Sequence, residues 1–368
     1  MDKDSSNFRE LIEHWRVQEK VGRVWGCDIG GANLKVACLD RPQGKLRSQQ
    51  QGFPLWRSPS ELWRALRALT SELAAPAQIV VTMTGEIADC YASKAEGVTR
   101  IVEQCEQAFE PCGVPVRYYS QNGNDLETCW LNALAAQENW SRVAAANWHA
   151  VARMWGDYLS HSQAAPGLIA DLGSTTLDLT IVAPNLRGIP SSDWERIQAG
   201  RLVYTGARRS SLSMILSEVS YRGQALPLAQ EHFATIHDAY LITGLADEEP
   251  HNEATADGRP ATKACAAHRI ARLFCSDLPE LPSDLIQAVA TQAQEKHRKR
   301  LAIALSRQLR MNPAPQWILL LGEGESLLRN ALSDAPRDGF SGAIFSGSNR
   351  LGPEASRIMP AVAAAILA

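Results

Sequence analysis

Two stretches, "GCDIGGANLKVACLD" (Gly26–Asp40) and "IADLGSTTLDLTIVAP" (Ile169–Pro184), decide how this chain is to be read. Laid one beneath the other they match position by position: Asp28 over Asp171, Gly30 over Gly173, Gly31 over Ser174, Asn33 over Thr176 and Lys35 over Asp178. Each is a short apolar run, an aspartate, a turn of small polar residues and a second apolar run, which predicts a β-hairpin. A turn built this way presents backbone N–H groups without side-chain obstruction, a nest suited to phosphate oxygens. One glycine turn alone reads as a plain hairpin. Two matched turns, each with an aspartate ahead of the glycine, read as a divided phosphate site.

The predicted phosphate-binding residues are therefore Gly30, Gly31, Asn33, Lys35, Gly173, Ser174, Thr175 and Thr176, with Lys35 as the positive charge. Asp28 and Asp171 end their strands and would face one another if the two halves close on a cleft. Two carboxylates there are expected to hold Mg²⁺ through its waters.

Working outward, an amphipathic helix is expected over Ser60–Leu73. A buried strand over Ile79–Met83 ends in the turn Thr84-Gly85-Glu86. "VPVRYYS" reads as a strand and Asp125–Ala136 as a helix. "SRVAAANWHAVARMWGDYL" reads as an Ala-rich helical stretch leading into the second hairpin. Helical patterns cover Lys263–Cys275 and Asp284 to Gln308; "QWILLLGEGES" is a late strand ending in a third glycine turn, and "SRIMPAVAAAILA" a small-residue helix. The class is α/β with internal duplication. The expected division is a helical extension over 1–21, a first domain over 22–165, a second over 166–350 with an irregular insertion at 185–260, and a terminal helix over 351–368.

Composition narrows the function classes. Apolar residues make up 45% and charged residues 21% of the 368, an ordinary globular balance. A net charge of −3 argues against a broad nucleic-acid surface. No apolar run approaches the ~20 residues of a membrane span, and the N-terminus lacks an apolar signal core, so the expected compartment is the cytoplasm. The eight cysteines form no CxxC pair and the histidines no HExxH motif, which argues for buried thiols and against zinc.

The motif D-x-G-x-x-x-x-K (Asp28–Lys35) resembles the first phosphate motif of the actin-like ATPase fold, shared by acetate and sugar kinases, Hsc-type chaperones and actin. D-L-G-S-T-T-x-D (Asp171–Asp178) resembles its second motif, and "LGEGES" (Leu321–Ser326) its adenosine-side turn. The duplicated fold, ribonuclease H-like in each half, is thus expected around a phosphate-binding cleft. "DIGGANLKVA", "TMTGEIADCYASKAEGV" (Thr82–Val98), "DLGSTTLDL", "RLVYTGARRS" (Arg201–Ser210) and "TADGRPATKACAAHRIARLFCSD" (Thr255–Asp277) follow in order. Together they resemble a tetrahydromethanopterin-linked one-carbon-transfer family related to the hydantoinase/oxoprolinase group, whose archaeal members include an enzyme of methanofuran biosynthesis.

The resemblance implies a transferase that couples an aminomethylfuran-methyl diphosphate to a tyramine- or tyrosine-derived phenol and releases diphosphate. It implies Mg²⁺ and does not require ATP. The partners are then two small molecules, with no nucleic acid and no membrane. On that reading Glu86 is the candidate base and Asp178 the second candidate, because a phenol needs a proton acceptor to become a nucleophile. Arg208 and Arg209 suit forked recognition of a substrate carboxylate or phosphate. Lys94, Glu96, Tyr204, Asp257, Gly322 and Gly324 complete the candidate substrate contacts, although the Asp257–Arg259 segment reads equally well as a turn. Two other readings stay open: an ATP-dependent small-molecule kinase or hydrolase, for which ATP is the cofactor, and a non-catalytic nucleotide-binding sensor or scaffold.

Overall fold

The computed structural model describes residues 22–121, 130–163, 165–183, 192–312, 314–334 and 340–368, so the extension expected over 1–21 lies outside the described residues. The first sheet is built from β1 (Arg23–Ile29), β2 (Asn33–Asp40), β3 (Lys45–Gly52), β4 (Gln78–Met83), β5 (Val116–Tyr119) and β6 (Trp130–Leu131), in the order β3-β2-β1-β4-β5-β6. The second uses β7 (Gly167–Leu172), β8 (Leu177–Val182) and β9 (Leu202–Val203); β10 (Glu218–Tyr221) and β11 (Gln224–Pro227) form a separate hairpin. β12 (Trp317–Leu321) and β13 (Ala343–Ser346) complete the order β13-β12-β7-β8-β9. Each sheet therefore holds an antiparallel hairpin, β1–β2 or β7–β8, with two parallel strands added beside its first strand. The duplication read in the sequence is a duplication of topology.

Seven helices matter for the site: α1 (Leu62–Thr70), α2 (Lys94–Phe109), α3 (Asn147–Gln163), α4 (Asp193–Gln198), α5 (Leu285–Leu309), α6 (Glu325–Asp334) and α7 (Met359–Leu367). α1 and α2 cover the outer face of the first sheet, where Leu62, Leu66, Ile101 and Val102 meet Trp25, Val36 and Val81. α5 covers the outer face of the second, with Leu301 and Leu305 against Leu168, Leu179 and Ile318. α3 and α7 lie between the sheets, in one apolar cluster with Val24 and Val80 on one side and Ile169 and Leu319 on the other. That explains the small-residue sequence of α7. A helix buried all round between two sheets carries no polar face, and alanines let both sheets approach.

Two helical expectations are corrected. Of the helix expected over Asp125–Ala136, the part up to residue 129 lies outside the described residues, Trp130–Leu131 is a strand, and helix is found from Ala133 to Glu138. The Ala-rich stretch is broken, a short helix over Trp140–Val143 stopping before α3 begins at Asn147. Ala145 between them has φ +49°, a left-handed conformation costing an L-residue about 1–2 kcal/mol. Gln121 Nε2 holds the break by donating to the carbonyls of Ala144 and Ala145 at 3.1 and 3.3 Å.

Candidate active site

The two hairpins are built alike to the level of single hydrogen bonds. Asp28 pairs in register with Lys35, and Asp171 with Asp178. Gly30 N–H donates to Asn33 O at 3.0 Å, and Gly173 N–H to Thr176 O at 2.9 Å. The two turns meet across the cleft, where Asn33 Nδ2 donates to Ser174 Oγ at 3.4 Å. The sequence-predicted turn residues thus come together, with Thr175 Oγ1 at 3.4 Å from Ser174 Oγ and Gly31 at the open tip, where an added Cβ would touch nothing.

The carboxylates gather behind the turns. Asp28 is buried, lies 3.6 Å from Lys35 Nζ, and has no hydrogen bond to Oδ1 among the described residues. Burial raises its pKa, against the pull of Lys35. Asp171 is pushed up to about 7, first by burial and then by the charge of Asp178, with Asp28 adding and Lys35 opposing. Asp178 accepts from Thr176 Oγ1 at 3.3 Å and from Arg196 Nη2 in a short ion pair. Asp171, Asp178, Thr180 and Asn147 line a small cavity of about 20 Å³, room for one water-sized body.

Glu86 follows β4 in a single 3₁₀ turn, Gly85–Ile87. Its side chain is buried, and among the described residues neither carboxylate oxygen makes a hydrogen bond of ordinary geometry, although the Ala145 amide lies near. Burial pushes it up to about 7; Lys94 opposes that shift and Asp193 adds to it. Lys94 opens α2 and reaches across to Asp193 Oδ2 at 3.2 Å, so Lys94 is engaged in an ion pair. Glu96 is spent as a cap, accepting from Ala92 N–H at 2.9 Å while its own N–H goes to Ser93 Oγ. Tyr204 is 56% exposed and feels the charges of Asp193, Asp178 and Glu86, which puts its phenol at the mouth.

The "RLVYTGARRS" segment buttresses the second turn. Ala207, Arg208 and Arg209 N–H groups donate to Gly173 O and Ser174 O, and a Cβ on Gly206 would sit 2.3 Å from Ser174 O, so only glycine fits there. Arg208 is consumed by Glu323, by Glu249 at 2.6 Å and by His237 at 3.1 Å. Arg209 is exposed beside the turn, and no ion pair or side-chain hydrogen bond engages it among the described residues. Asp257 is tied to the buried Arg269 at 2.9 Å, which also binds Asp238 at 2.7 Å. Gly322 has φ +90°, and a Cβ there would sit 2.3 Å from Asp171 Oδ1; one on Gly324 would strike the Leu172 side chain. Close packing on the second hairpin accounts for both glycines.

Sequence reasoning missed Arg196, Asp193 and Asn147. A signal existed for α4: Ser192 and Glu195 spell a capping box, and both of its bonds form. Nothing local revealed that Arg196 would meet Asp178, or that Asn147 would stand beside Asp28.

Comparison with known proteins agrees with this geometry. The chain is 28% identical over 314 residues, 84% of its length and 89% of the relative's, to the (4-{4-[2-(gamma-L-glutamylamino)ethyl]phenoxymethyl}furan-2-yl)methanamine synthase of Methanocaldococcus jannaschii. It is 26% identical over 202 residues, 54% of its length and 89% of the relative's, to the synthase of that name from Methanococcus vannielii. Nucleotide-free acetone carboxylase superposes with a TM-score of 0.57 at 10% identity, over 94% of this chain and 70% of that one, and so shares the fold. The architecture is the duplicated actin-like ATPase fold. Residues 78–312, from β4 through α5, match the hydantoinase/oxoprolinase family, and the chain is a member of that family.

Proposed function

We propose that this protein is a biosynthetic transferase that joins an aminomethylfuran-methyl diphosphate to a tyramine- or tyrosine-derived phenol, releasing diphosphate, in the making of a methanofuran- or methylofuran-type one-carbon cofactor. The observation that carries the reading is the meeting of the two turns, Asn33 on Ser174, with the buried carboxylate of Glu86 joined to the second turn through Asp178, Arg196, Asp193 and Lys94. The named activity of the archaeal relatives supports it.

Breaking the furfuryl C–O bond puts negative charge on diphosphate and positive charge on carbon. The backbone N–H groups of both turns, Lys35 and the free guanidinium of Arg209 supply preorganised donors for that leaving group. Glu86 takes the phenol proton. A phenol of ordinary pKa near 10 giving its proton to the Glu86 carboxylate, whose acid form is pushed up to about 7, faces a gap of roughly 3 units, about 4 kcal/mol. Attack on an electron-poor carbon closes that gap, because the phenol acidifies as its oxygen bonds. Tyr204 at the mouth offers a ring face to the aromatic acceptor.

The residues fit a divalent cation. Five carboxylates (Asp28, Asp171, Asp178, Asp193, Glu86) stand among four cations (Lys35, Lys94, Arg196, Arg209), leaving one formal negative charge in excess. Among the described residues no group of three or more His, Cys, Asp or Glu is arranged as a metal cage, whereas Mg²⁺ favours one or two carboxylates, its own waters and substrate phosphate. Asp28 and Asp171 would hold it, and it would neutralise charge on the departing diphosphate.

The test is diphosphate release from the purified protein with Mg²⁺, the furan diphosphate and a γ-glutamylated tyramine or tyrosine acceptor, beside a tube with ATP and acceptor. Acceptor-dependent diphosphate with an ether product is expected. ATP consumption without ether would move the protein to the kinase or hydrolase reading, which no feature of the Gly322–Gly324 turn favours.

A further inference from the structure

Arg196 is the most constrained cation of the site, and neither the phosphate turns nor the proton transfer accounts for it. Its side chain is 3% exposed. Nη2 donates to Asp178 Oδ1, Nη1 lies 3.4 Å from Asp193 Oδ1, and the guanidinium sits 4.3 Å over the ring of Trp148. Asp193 in turn holds Lys94 at 3.2 Å, from the other half of the cleft. Contacts thus run unbroken from Thr176 in the second phosphate turn through Asp178, Arg196 and Asp193 to Lys94, which opens α2 where that helix packs on Glu86: a Cβ on Gly97 would lie 2.2 Å from Glu86 O.

We propose that Arg196 is a positioning residue: by bridging Asp178 and Asp193 it limits how firmly Asp193 claims Lys94, and so sets the charge that faces Glu86 from the opposite half of the cleft. The fork is what makes this specific. A planar guanidinium bonds two carboxylates at a fixed angle, while a compact ammonium reaches only one of them at full strength. The charged and titratable groups facing Glu86 are Lys94 from α2, Asp193 from α4 and the Tyr204 phenol after β9, with the Ala145 amide as a fixed dipole. Of these, Asp193 is the one that shares an ion-paired cation, Arg196, with Asp178 on the phosphate side.

The proposal rests on the transferase reading only for its kinetic arm, so two measurements separate them. The first needs no turnover: the titration midpoint of Glu86, followed by carbon-13 carboxyl resonances and assigned by the signal lost in Glu86→Gln. In Arg196→Lys, Asp193 falls back onto Lys94, Glu86 loses the support of that cation, and its midpoint rises by about half a unit or more. In Asp193→Asn, Lys94 is released toward Glu86 and the midpoint falls by a similar amount. Midpoints that stay fixed in both variants, or move the same way, overturn the proposal. If Arg196→Lys does not fold, Lys94→Met replaces it, with a rise again expected and a fixed midpoint again fatal.

The second measurement is kinetic. Arg196→Lys should lower kcat about ten-fold with KM for the furan diphosphate within about two-fold, and adding Asp193→Asn should not lower it further. A ten-fold rise in KM at unchanged kcat would instead assign Arg196 to phosphate binding and overturn its positioning role. Absence of diphosphate release by the parent protein overturns the transferase reading alone, and the midpoints still decide this one.

Discussion

Glu86 and Glu325 stand at matched places in the two halves of the molecule and have opposite fates. Strand register sets Asp28 beside Thr82 and Asp171 beside Leu321, and four residues further on from each partner lie Glu86 and Glu325, both directly after a glycine. Both are buried. Glu325 accepts from Ser346 Oγ, from Ser348 N–H at 2.9 Å and Oγ at 2.7 Å, and from Ser356 Oγ at 3.3 Å, which anchors α6 to the segment ahead of α7. Among the described residues no hydroxyl reaches Glu86, and only a backbone amide, that of Ala145, lies near it. A carboxylate given several donors is a structural joint, and one left dry suits the proton-acceptor role proposed for Glu86. Duplication supplied two copies of one device, and the surroundings made one of them structural.

The comparison breaks most clearly in the reaction. Glu86→Gln should lower kcat by about 10²–10⁴-fold with a much smaller change in KM, measured by diphosphate release; a variant of undiminished kcat would remove Glu86 as base. Glu325→Ala should instead lower stability by about 3 kcal/mol in urea unfolding, because it leaves four donors without an acceptor, and should leave the pH dependence of kcat unmoved.

Stability against pH sharpens the contrast. Glu86 is raised from 4.5 to about 7, so its neutral form suits the fold. That contribution is fully present below the unfolded pKa and is lost as pH rises through the folded one. Glu86→Gln should therefore gain on the parent from pH 5 to 8, approaching at most about 3 kcal/mol, and show no gain near pH 4. A pH-independent difference would mean that Glu86 ionises freely in the fold.

Metal binding tests the shared half of the device. Mg²⁺ at about 100 times its Kd should raise the unfolding free energy of the parent by about 2.7 kcal/mol, and Asp28→Asn should remove most of that gain. Equal protection of both proteins would place the ion elsewhere. The smallest effect is expected at the left-handed break: Ala145→Gly relieves φ strain but frees the unfolded chain, a net gain of under about 1 kcal/mol in thermal unfolding. A clear loss would mean that the Ala145 side chain packs more than its backbone strains.

Much of the fold was legible because its signals are local. An aspartate, a glycine and a residue seven beyond the aspartate spell a hairpin turn wherever they fall, and two such spellings disclosed the duplication before any contact was known. The Gly85-Glu86 turn after a buried strand was legible for the same reason. The Ala145 break was not, because alanine-rich sequence favours helix and the break is enforced by Gln121 from a distant strand end.

Read alone, then, the sequence disclosed where the chain turns, which strands are buried and that the two hairpins are built alike, since these depend on neighbours a few positions apart. Only the tertiary structure decided how each charge is used. Arg208 is locked between Glu323 and Glu249 while Arg209 beside it stays open, Asp257 serves the buried Arg269, and Glu86 is left dry where Glu325 is satisfied. Those outcomes depend on partners from 12 to 115 positions away in the chain, which come together only once the chain has folded and taken them out of water.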